Sequence, residues 1–464
     1  MKDFGSPENT IVAIATPKAA GALAVIRVSG TKSIDILRNI FSPFNKDSVF
    51  PPEPRKITLG YIKNPSSGRF LDQVNIAFFP SPNSYTGEDV LEIYTHGGAL
   101  VPSSILDLVI SCGATLAQPG EFTLRAYLNK KMDLSQAESV LNIINSRNRS
   151  FLDASLRQLD GSFGEIIKKC RSKLINLLSR IEVAIEYPDD YSDLLSNHEI
   201  TSILCPLVNE LDNLIKNADS SNISNDPLKV AIVGKPNVGK SSLMNRLFGS
   251  DRVIVSDTPG TTRDVVSERI PIEGFDFLVF DTAGITNSTD KIESEGIKRT
   301  FGSINSADIV LALFDTSSPL NEDDNSVIFA CKSVMRYEPL LTKSDLQSNL
   351  DLSALKAALG VSDFISCSSI SGDGISTIRS VLSGFASSHF SYSDDAFFVS
   401  TRHRTLIAST IESLNNALSN ADSVSDDIIT IDIKEAADSL GKITGETTTE
   451  DVITTIFENF CVGK

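Results

Sequence analysis

The sequence predicts a multidomain protein of mixed α/β and α+β class, in which an α/β nucleotide-binding domain is inserted into an all-α helical domain and an α+β domain precedes both. Three observations point to it. At 464 residues the chain is too long for a single core. A phosphate-loop pattern at residues 234–241 follows one apolar run and opens a series of others. Apolar residues at helical spacing flank that series on both sides.

Taken in order, residues 1–127 contain strand-like runs at 22–28 and 90–94 among Pro/Gly turns, which reads as a separate α+β domain. Residues 128–222 carry Leu174, Leu177, Leu178, Ile181 and Ile185 at helical spacing, the first part of a helical domain. Ser/Asn/Asp-rich stretches at 219–227 and 387–395 read as linkers. Between them, in an α/β domain placed at 223–384, short apolar runs at 228–233, 275–281, 307–315, 340–342 and 364–367 alternate with helical segments. That is the pattern of a mostly parallel sheet wrapped by helices. Residues 385–464 return to helical spacing with Ile407, Ile411, Leu414 and Leu418, so one helical domain built from both flanks is expected.

Composition narrows the partners. The 42 Lys+Arg against 59 Asp+Glu leave a net charge of −17, which argues against nucleic-acid binding by bulk electrostatics. Residues 1–130 hold 12 basic and 11 acidic side chains, so the acid lies in the remainder and a polyanion would meet local basic patches. Cys112, Cys170, Cys205, Cys331, Cys367 and Cys461 show neither metal spacing nor a disulfide framework, as expected in a reducing cytosol. The opening residues carry acid and no apolar core, unlike a targeting peptide, and no apolar run is long enough to span a membrane. A cytoplasmic location is expected.

Gly234-Lys235-Pro236-Asn237-Val238-Gly239-Lys240-Ser241 carries the chemistry. Its glycines let backbone N–H groups turn onto phosphates, and the following helix adds its N-terminal dipole. Lys240 is placed for the β/γ oxygens and Ser241 for Mg²⁺. Four more elements follow in the order a GTPase requires. Thr262, in Gly260-Thr261-Thr262-Arg263-Asp264, is placed as a second Mg²⁺ ligand. Asp281-Thr282-Ala283-Gly284 ends a strand, where Asp281 reaches the metal through water and the Gly284 N–H meets the γ-phosphate. Thr342-Lys343-Ser344-Asp345 stands where guanine is read, with Asp345 accepting from the base, and Ser366-Cys367-Ser368 completes the base pocket. Guanine readers usually have asparagine in place of Thr342, so one or two hydrogen bonds of about 1 kcal/mol each are at stake. The position after Gly284, a water-orienting glutamine in the Ras type of GTPase, is Ile285. Three carboxylates follow in Asp290-Lys291-Ile292-Glu293-Ser294-Glu295-Gly296, and spacing alone prefers none of them. No arginine is placed as a finger, so charge at the β–γ bridge needs another cation.

More specific motifs run along the chain: Thr10-Ile11-Val12-Ala13 with Arg27-Val28-Ser29-Gly30, Tyr85-Thr86-Gly87-Glu88-Asp89-Val90-Leu91-Glu92, and Pro119-Gly120-Glu121-Phe122. Lys131-Met132-Asp133-Leu134-Ser135-Gln136-Ala137-Glu138, Ile443-Thr444-Gly445-Glu446 and Cys461-Val462-Gly463-Lys464 complete them. With these the chain resembles the MnmE (TrmE) family of tRNA uridine-modifying GTPases nearly end to end. The resemblance implies a folate-binding N-terminal domain that mediates homodimerisation, a helical domain in two segments, and a P-loop GTPase domain inserted in it. It implies work with the flavoprotein MnmG, in a heterotetramer or larger assembly, on the wobble uridine of tRNA. The one-carbon unit would come from 5-formyltetrahydrofolate or a related tetrahydrofolate.

Matched residue by residue, the folate contacts fall on Arg27, Glu92, Lys131 and Lys464, and a potassium ion on Asn237, Ser256, Thr258 and Thr261. K⁺ then supplies the missing finger charge when two GTPase domains meet. The nucleotide contacts comprise Asn237, Val238, Gly239, Lys240, Ser241 and Ser242, then Ser256, Asp257, Thr258, Pro259, Gly260 and Thr261, with the three later motifs. Glu293 becomes the water-orienting carboxylate, and Cys461 a candidate catalytic thiol. His96 reads as structural. A competing expectation is a ribosome-assembly switch whose chemistry ends at GTP. Such proteins usually append an RNA-binding or second GTPase domain, and neither is visible here.

Overall fold

The computed structural model describes residues 9–17, 20–45, 49–187, 197–220, 223–249, 267–281, 306–390, 397–420 and 426–464. They form two compact units, one of residues 1–144, 155–217 and 397–464, the other of 145–154 and 218–396.

The first unit contains a seven-stranded sheet of β1 (Ile11–Ile14), β2 (Leu23–Ser29), β3 (Phe41–Pro43), β4 (Thr58–Lys63), β5 (Phe70–Phe79), β6 (Val90–His96) and β7 (Thr115–Leu116), in the order β3-β4-β5-β6-β2-β1-β7. Strand alternation divides its faces. Val12, Ile26, Val28, Leu91 and Ile93 point into a core with Ile36 and Leu37 of the helix Ser33–Ile40 and Ile105 and Val109 of the helix Leu100–Ser111. The intervening Ile11 and Ala13 pack with Ala117 and with Phe122 of the helix Glu121–Leu128. Ala13 stands opposite Arg27, and Arg27 opposite Glu92, so two ionisable residues share this second face.

The same unit holds the helices Ser162–Glu186, Thr401–Asn420 and Asp426–Thr444, the last packed on the other two. Leu174, Leu177, Ile181, Ile407 and Leu414 are buried as their spacing predicts, whereas Ile185 is exposed at the end of its helix. Leu124, Leu134, Ala137, Ile453, Phe457 and Phe460 form a further cluster that ties the helix Glu121–Leu128 to the helix Glu450–Glu458.

The second unit is a six-stranded sheet of β8 (Leu228–Gly234), β9 (Ser267–Ile272), β10 (Phe275–Asp281), β11 (Ile309–Asp315), β12 (Tyr337–Thr342) and β13 (Ile365–Ser366), in the order β13-β12-β11-β8-β10-β9. All pairs but β9–β10 are parallel. The near-continuous apolar runs of β8 and β11 are buried because helices cover both faces of a parallel sheet. β9 was not foreseen: Ser-Glu-Arg-Ile-Pro-Ile is half polar and contains a proline, which an edge strand tolerates. Glu273 and Gly274, at φ 50° and 86°, turn β9 into β10, the double positive φ of a two-residue hairpin. The helix Ile375–His389 continues past the expected limit at 384, because Phe385, Ala386 and Phe390 keep the apolar rhythm and bury in this unit's core.

Candidate functional site

The phosphate loop leaves β8 at Gly234 and enters the helix Lys240–Phe248. Asn237 at φ 59° and Gly239 at φ 106° curl the backbone between them, and position 239 favours glycine because an L side chain rarely adopts that φ. Gly239 at the N-cap brings no capping side chain, and Asn237, Ser241 and Ser242 are exposed at this helix N-terminus, the end that favours an anion. Lys240 Nζ donates to the carbonyls of Gly234 at 2.9 Å and Lys235 at 3.0 Å, which holds the ammonium inside the curl. Val238 is buried.

The base-reading segments meet the loop at the carboxyl ends of β12 and β13. Thr342 is 4% exposed, and its Oγ1 donates to the Val238 carbonyl at 2.8 Å, with the Phe314 carbonyl at 3.2 Å. The threonine hydroxyl therefore supplies a tie to the phosphate loop that its sequence position put in question. The Ser344 N–H donates to the Cys367 carbonyl at 3.2 Å, joining the two segments, and Asp345 and Ser366 are exposed. Ser368 is buried and its Oγ accepts from the N–H groups of Ile370 and Ser371. Burial pushes the Cys367 thiol up to about 11, so it contributes through its backbone and not as a nucleophile. Lys343 Nζ pairs with Asp315 at 2.6 Å. Burial opposes ionisation of that carboxyl, but hydrogen bonds from Lys343 and Ser317 outweigh it and hold it below its ordinary value.

Ser256, Asp257, Thr258, Pro259, Gly260, Thr261, Thr262, Thr282, Ala283, Gly284 and Glu293 lie outside the described residues, as does the side chain of Asp281.

A second polar cluster lies on the β2–β6 face of the first unit. Arg27 donates from Nε at 3.0 Å and Nη2 at 2.8 Å to Glu92 Oε1, and Tyr94 donates to Glu92 Oε2 at 2.7 Å. The guanidinium lies 5.5 Å from the Tyr85 ring centre and 5.8 Å from that of Phe122. Burial, with help from Glu92, pushes the Tyr94 hydroxyl up to about 12. Residues 461–464 fold back onto this face. Arg27 Nη1 donates to the Gly463 carbonyl at 3.4 Å, and Gly463, at φ 98°, lies so close to β1 that a Cβ there would be 2.9 Å from Ala15 Cα. Burial pulls the Lys464 ammonium below its ordinary value, Arg27 adds repulsion and Glu92 partly offsets both. Cys461 is exposed.

Arg27, Glu92 and Lys464 thus come together. Lys131 instead donates to the Pro82 carbonyl at 3.0 Å and lines a cavity of about 470 Å³ with Tyr127, Lys168 and Glu446.

Several motif residues prove structural. Arg125, 5% exposed, is gripped by Glu121 at 2.8 Å and Glu88 at 3.1 Å, and Glu88 also accepts from Ser29. His96 pairs with Asp72 at 2.7 Å. Glu138 binds Arg402 at 2.8 Å and His403 at 2.7 Å, joining the two chain segments of the helical region. Sequence reading singled out neither Arg402 nor His403, because a contact across 264 residues leaves no local signal.

Comparison with known proteins agrees with this architecture. The family model described as the MnmE helical domain matches residues 134–461, and that of the GTP-binding protein TrmE N-terminus matches residues 10–131. The tRNA modification GTPase MnmE of Acetivibrio thermocellus is 38% identical over 459 residues, covering 98% of this chain and 99% of the relative. The protein of the same description from Thermotoga maritima is also 38% identical over 459 residues, covering 98% and 100%. With most of its length inside the helical-domain model and such relatives from end to end, the chain belongs to the MnmE family of tRNA modification GTPases.

Proposed function

We propose that the protein is a potassium-dependent GTP hydrolase. With an FAD-containing partner of the MnmG type, it modifies carbon 5 of the wobble uridine in certain tRNAs, using a one-carbon unit from tetrahydrofolate. The observation that carries this reading is the meeting of Arg27, Glu92 and Lys464 on one sheet face. The cluster has the chemistry of a folate site. Arg27 and Lys464 suit the carboxylates of a folate tail, Glu92 suits the amino-pyrimidine edge of its ring, and Tyr85 and Phe122 supply flat apolar surface. When bound, a reduced folate supplies the one-carbon unit. This chain's part is to bind and orient, with Cys461 exposed nearby in sequence as the candidate thiol.

In the nucleotide site Lys240 stabilises the β/γ oxygens, Ser241 and Thr262 hold Mg²⁺, and Asn237, Ser256, Thr258 and Thr261 hold K⁺. Glu293 orients the attacking water, and Asp345 reads guanine. Residues 1–127 carry the dimer contact, 128–222 and the chain after Phe390 the helical domain, and 223–390 the GTPase domain, past the limit of 384 expected from sequence. The assembly, a homodimer joined by its flavoprotein partner in a heterotetramer or larger complex, works in the cytoplasm. No helix among the described residues is long and apolar enough to cross a membrane.

Calorimetry with 5-formyltetrahydrofolate tests the folate assignment. Binding to the full chain and its loss in Arg27→Ala are expected, and no binding to the full chain would remove the folate from the reading. Turnover in K⁺ against Na⁺ at equal ionic strength tests the ion, and equal rates would remove potassium.

A further inference from the structure

Lys235, the second residue of the phosphate loop, takes no part in the chemistry above, yet it is only 7% exposed. Its Nζ donates to Asp324 Oδ2 at 2.9 Å and to Ser318 Oγ at 3.0 Å. Asp324, 1% exposed, caps the helix Glu322–Lys332 in a reciprocal box with Asn321, whose N–H donates to the same Oδ2 at 3.0 Å. Asp324 Oδ1 has no hydrogen-bond partner, and Lys235 is the one cation paired with this carboxylate among the described residues. A buried carboxylate satisfied on one oxygen depends on its cation, so the pair fixes where Lys235 sits.

The backbone of Lys235 extends that constraint. Its carbonyl accepts from Lys240 Nζ at 3.0 Å, so the residue gripped by Asp324 also holds the lysine aimed at the phosphates. Ser318, the other partner of Lys235, ends the segment that follows β11, and this segment is bound to the base-reading loop. Thr316 Oγ1 donates to the carbonyls of Thr342 at 2.8 Å and Lys343 at 3.0 Å. Asp315 accepts from Lys343 Nζ through Oδ2 and from Ser317 Oγ through Oδ1, both at 2.6 Å. Polar contacts therefore lead from Lys343 through residues 315–318 to Lys235 and on to Lys240.

We propose that Lys235 and Asp324 are positioning residues for GTP hydrolysis, bracing the phosphate loop against residues 315–318 so that engagement of guanine at the base-reading loop is felt at Lys240. The proposal rests on the reading of residues 234–242 as the loop that holds the nucleotide phosphates.

Steady-state kinetics with GTP and with ITP, which lacks the exocyclic amino group that Asp345 accepts from, tests it. If the proposal holds, ITP should lower kcat as well as raise KM in the unmodified protein, and equal kcat values for the two nucleotides there overturn it. The double variant Lys235→Met/Asp324→Leu removes both charges together and leaves neither buried alone. It is expected to lower kcat with GTP by roughly tenfold to a hundredfold, the scale of a misplaced catalytic group, and to bring the GTP and ITP kcat values together. Lys235→Arg, which keeps the ion pair, retains most of kcat and the difference between the two nucleotides. If the double variant melts early, Asp324→Asn, which keeps the helix cap, is read by the same kcat comparison. A kcat for GTP equal to that of the unmodified protein in the variant that folds, or an undiminished gap between GTP and ITP there, overturns the proposal. Lys240→Ala separates the two levels: if it binds and hydrolyses GTP normally, the loop assignment itself fails, whereas its failure beside an indifferent Lys235/Asp324 pair removes the positioning role alone.

Discussion

The phosphate loop and the Arg27 cluster are both small groups of polar side chains displayed by a sheet, but they are assembled in opposite ways. The loop draws on consecutive residues from 234 to 242, and two left-handed backbone positions suffice to curl it. The cluster joins Arg27 to Glu92 across 65 residues and to the Gly463 carbonyl across 436. The loop's curl is set by adjacent residues and braced from within its own domain by Ser318, Asp324 and Thr342, whereas the cluster depends on every element that brings its distant members together. Perturbation of the chain outside residues 223–390 should therefore injure the second and spare the first.

The largest expected effect comes from deleting residues 461–464, which removes Lys464 and the Gly463 contact without touching the loop. Wobble-uridine modification, followed by nucleoside analysis of tRNA, should be abolished while GTP turnover stays near normal. Comparable loss of both activities would break the contrast. Conversely, Lys240→Ala should lower kcat/KM for GTP by roughly a hundredfold to a thousandfold, the range for removing one donor to developing charge, while 5-formyltetrahydrofolate binding is unchanged.

Glu138 sharpens the comparison through stability. Burial opposes its ionisation, but His403 and Arg402 together hold its carboxyl down at about 2. Its contribution is complete above the ordinary 4.5 and is lost as pH falls toward about 2, a loss on the order of 3 kcal/mol. Glu138→Ala should cost roughly 1–3 kcal/mol because it removes the acceptor that Arg402 and buried His403 share. Calorimetric melting at pH 7 and pH 3 checks both statements, and the variant should show less acid sensitivity than the unmodified chain. The smallest effect is Thr342→Val, which keeps the shape and removes the hydroxyl that bonds Val238. One neutral hydrogen bond of about 1 kcal/mol corresponds to roughly fivefold weaker nucleotide binding, measurable with a fluorescent GDP. An unchanged affinity would show that the tie has no bearing on the nucleotide.

The same division explains what was legible in the sequence. The phosphate loop could be read from spacing, because its geometry is encoded in adjacent residues, and β10, an apolar run buried within a mostly parallel sheet, fell where the sequence placed it. β9 escaped because an edge strand tolerates the polar residues and proline that hide it. Arg27 and Glu92 were identified through resemblance, not periodicity, since nothing within either strand announces that the two stand in register. Lys235 was legible as a position in a motif but not as half of an ion pair, because Asp324 lies 89 residues away on another element. Lys131 shows the converse. A family motif can point to a residue in sequence and say nothing of which neighbours it has within one chain.

The pleat of β2 and β6 also limits how this protein can change by descent. Ile26, Val28, Leu91 and Ile93 fill the core on one face while Arg27 and Glu92 occupy the other, so core and cluster are written into the two parities of the same strands. Insertion of a single codon within Leu23–Ser29 or Val90–His96 would turn the downstream apolar residues outward and the charged one inward, damaging both at once. An insertion of two codons would restore parity but carry Arg27 about 7 Å along its partner, past Glu92. Length variation in this lineage should therefore gather in the loops and avoid these two strands, even where nearly every individual side chain has drifted.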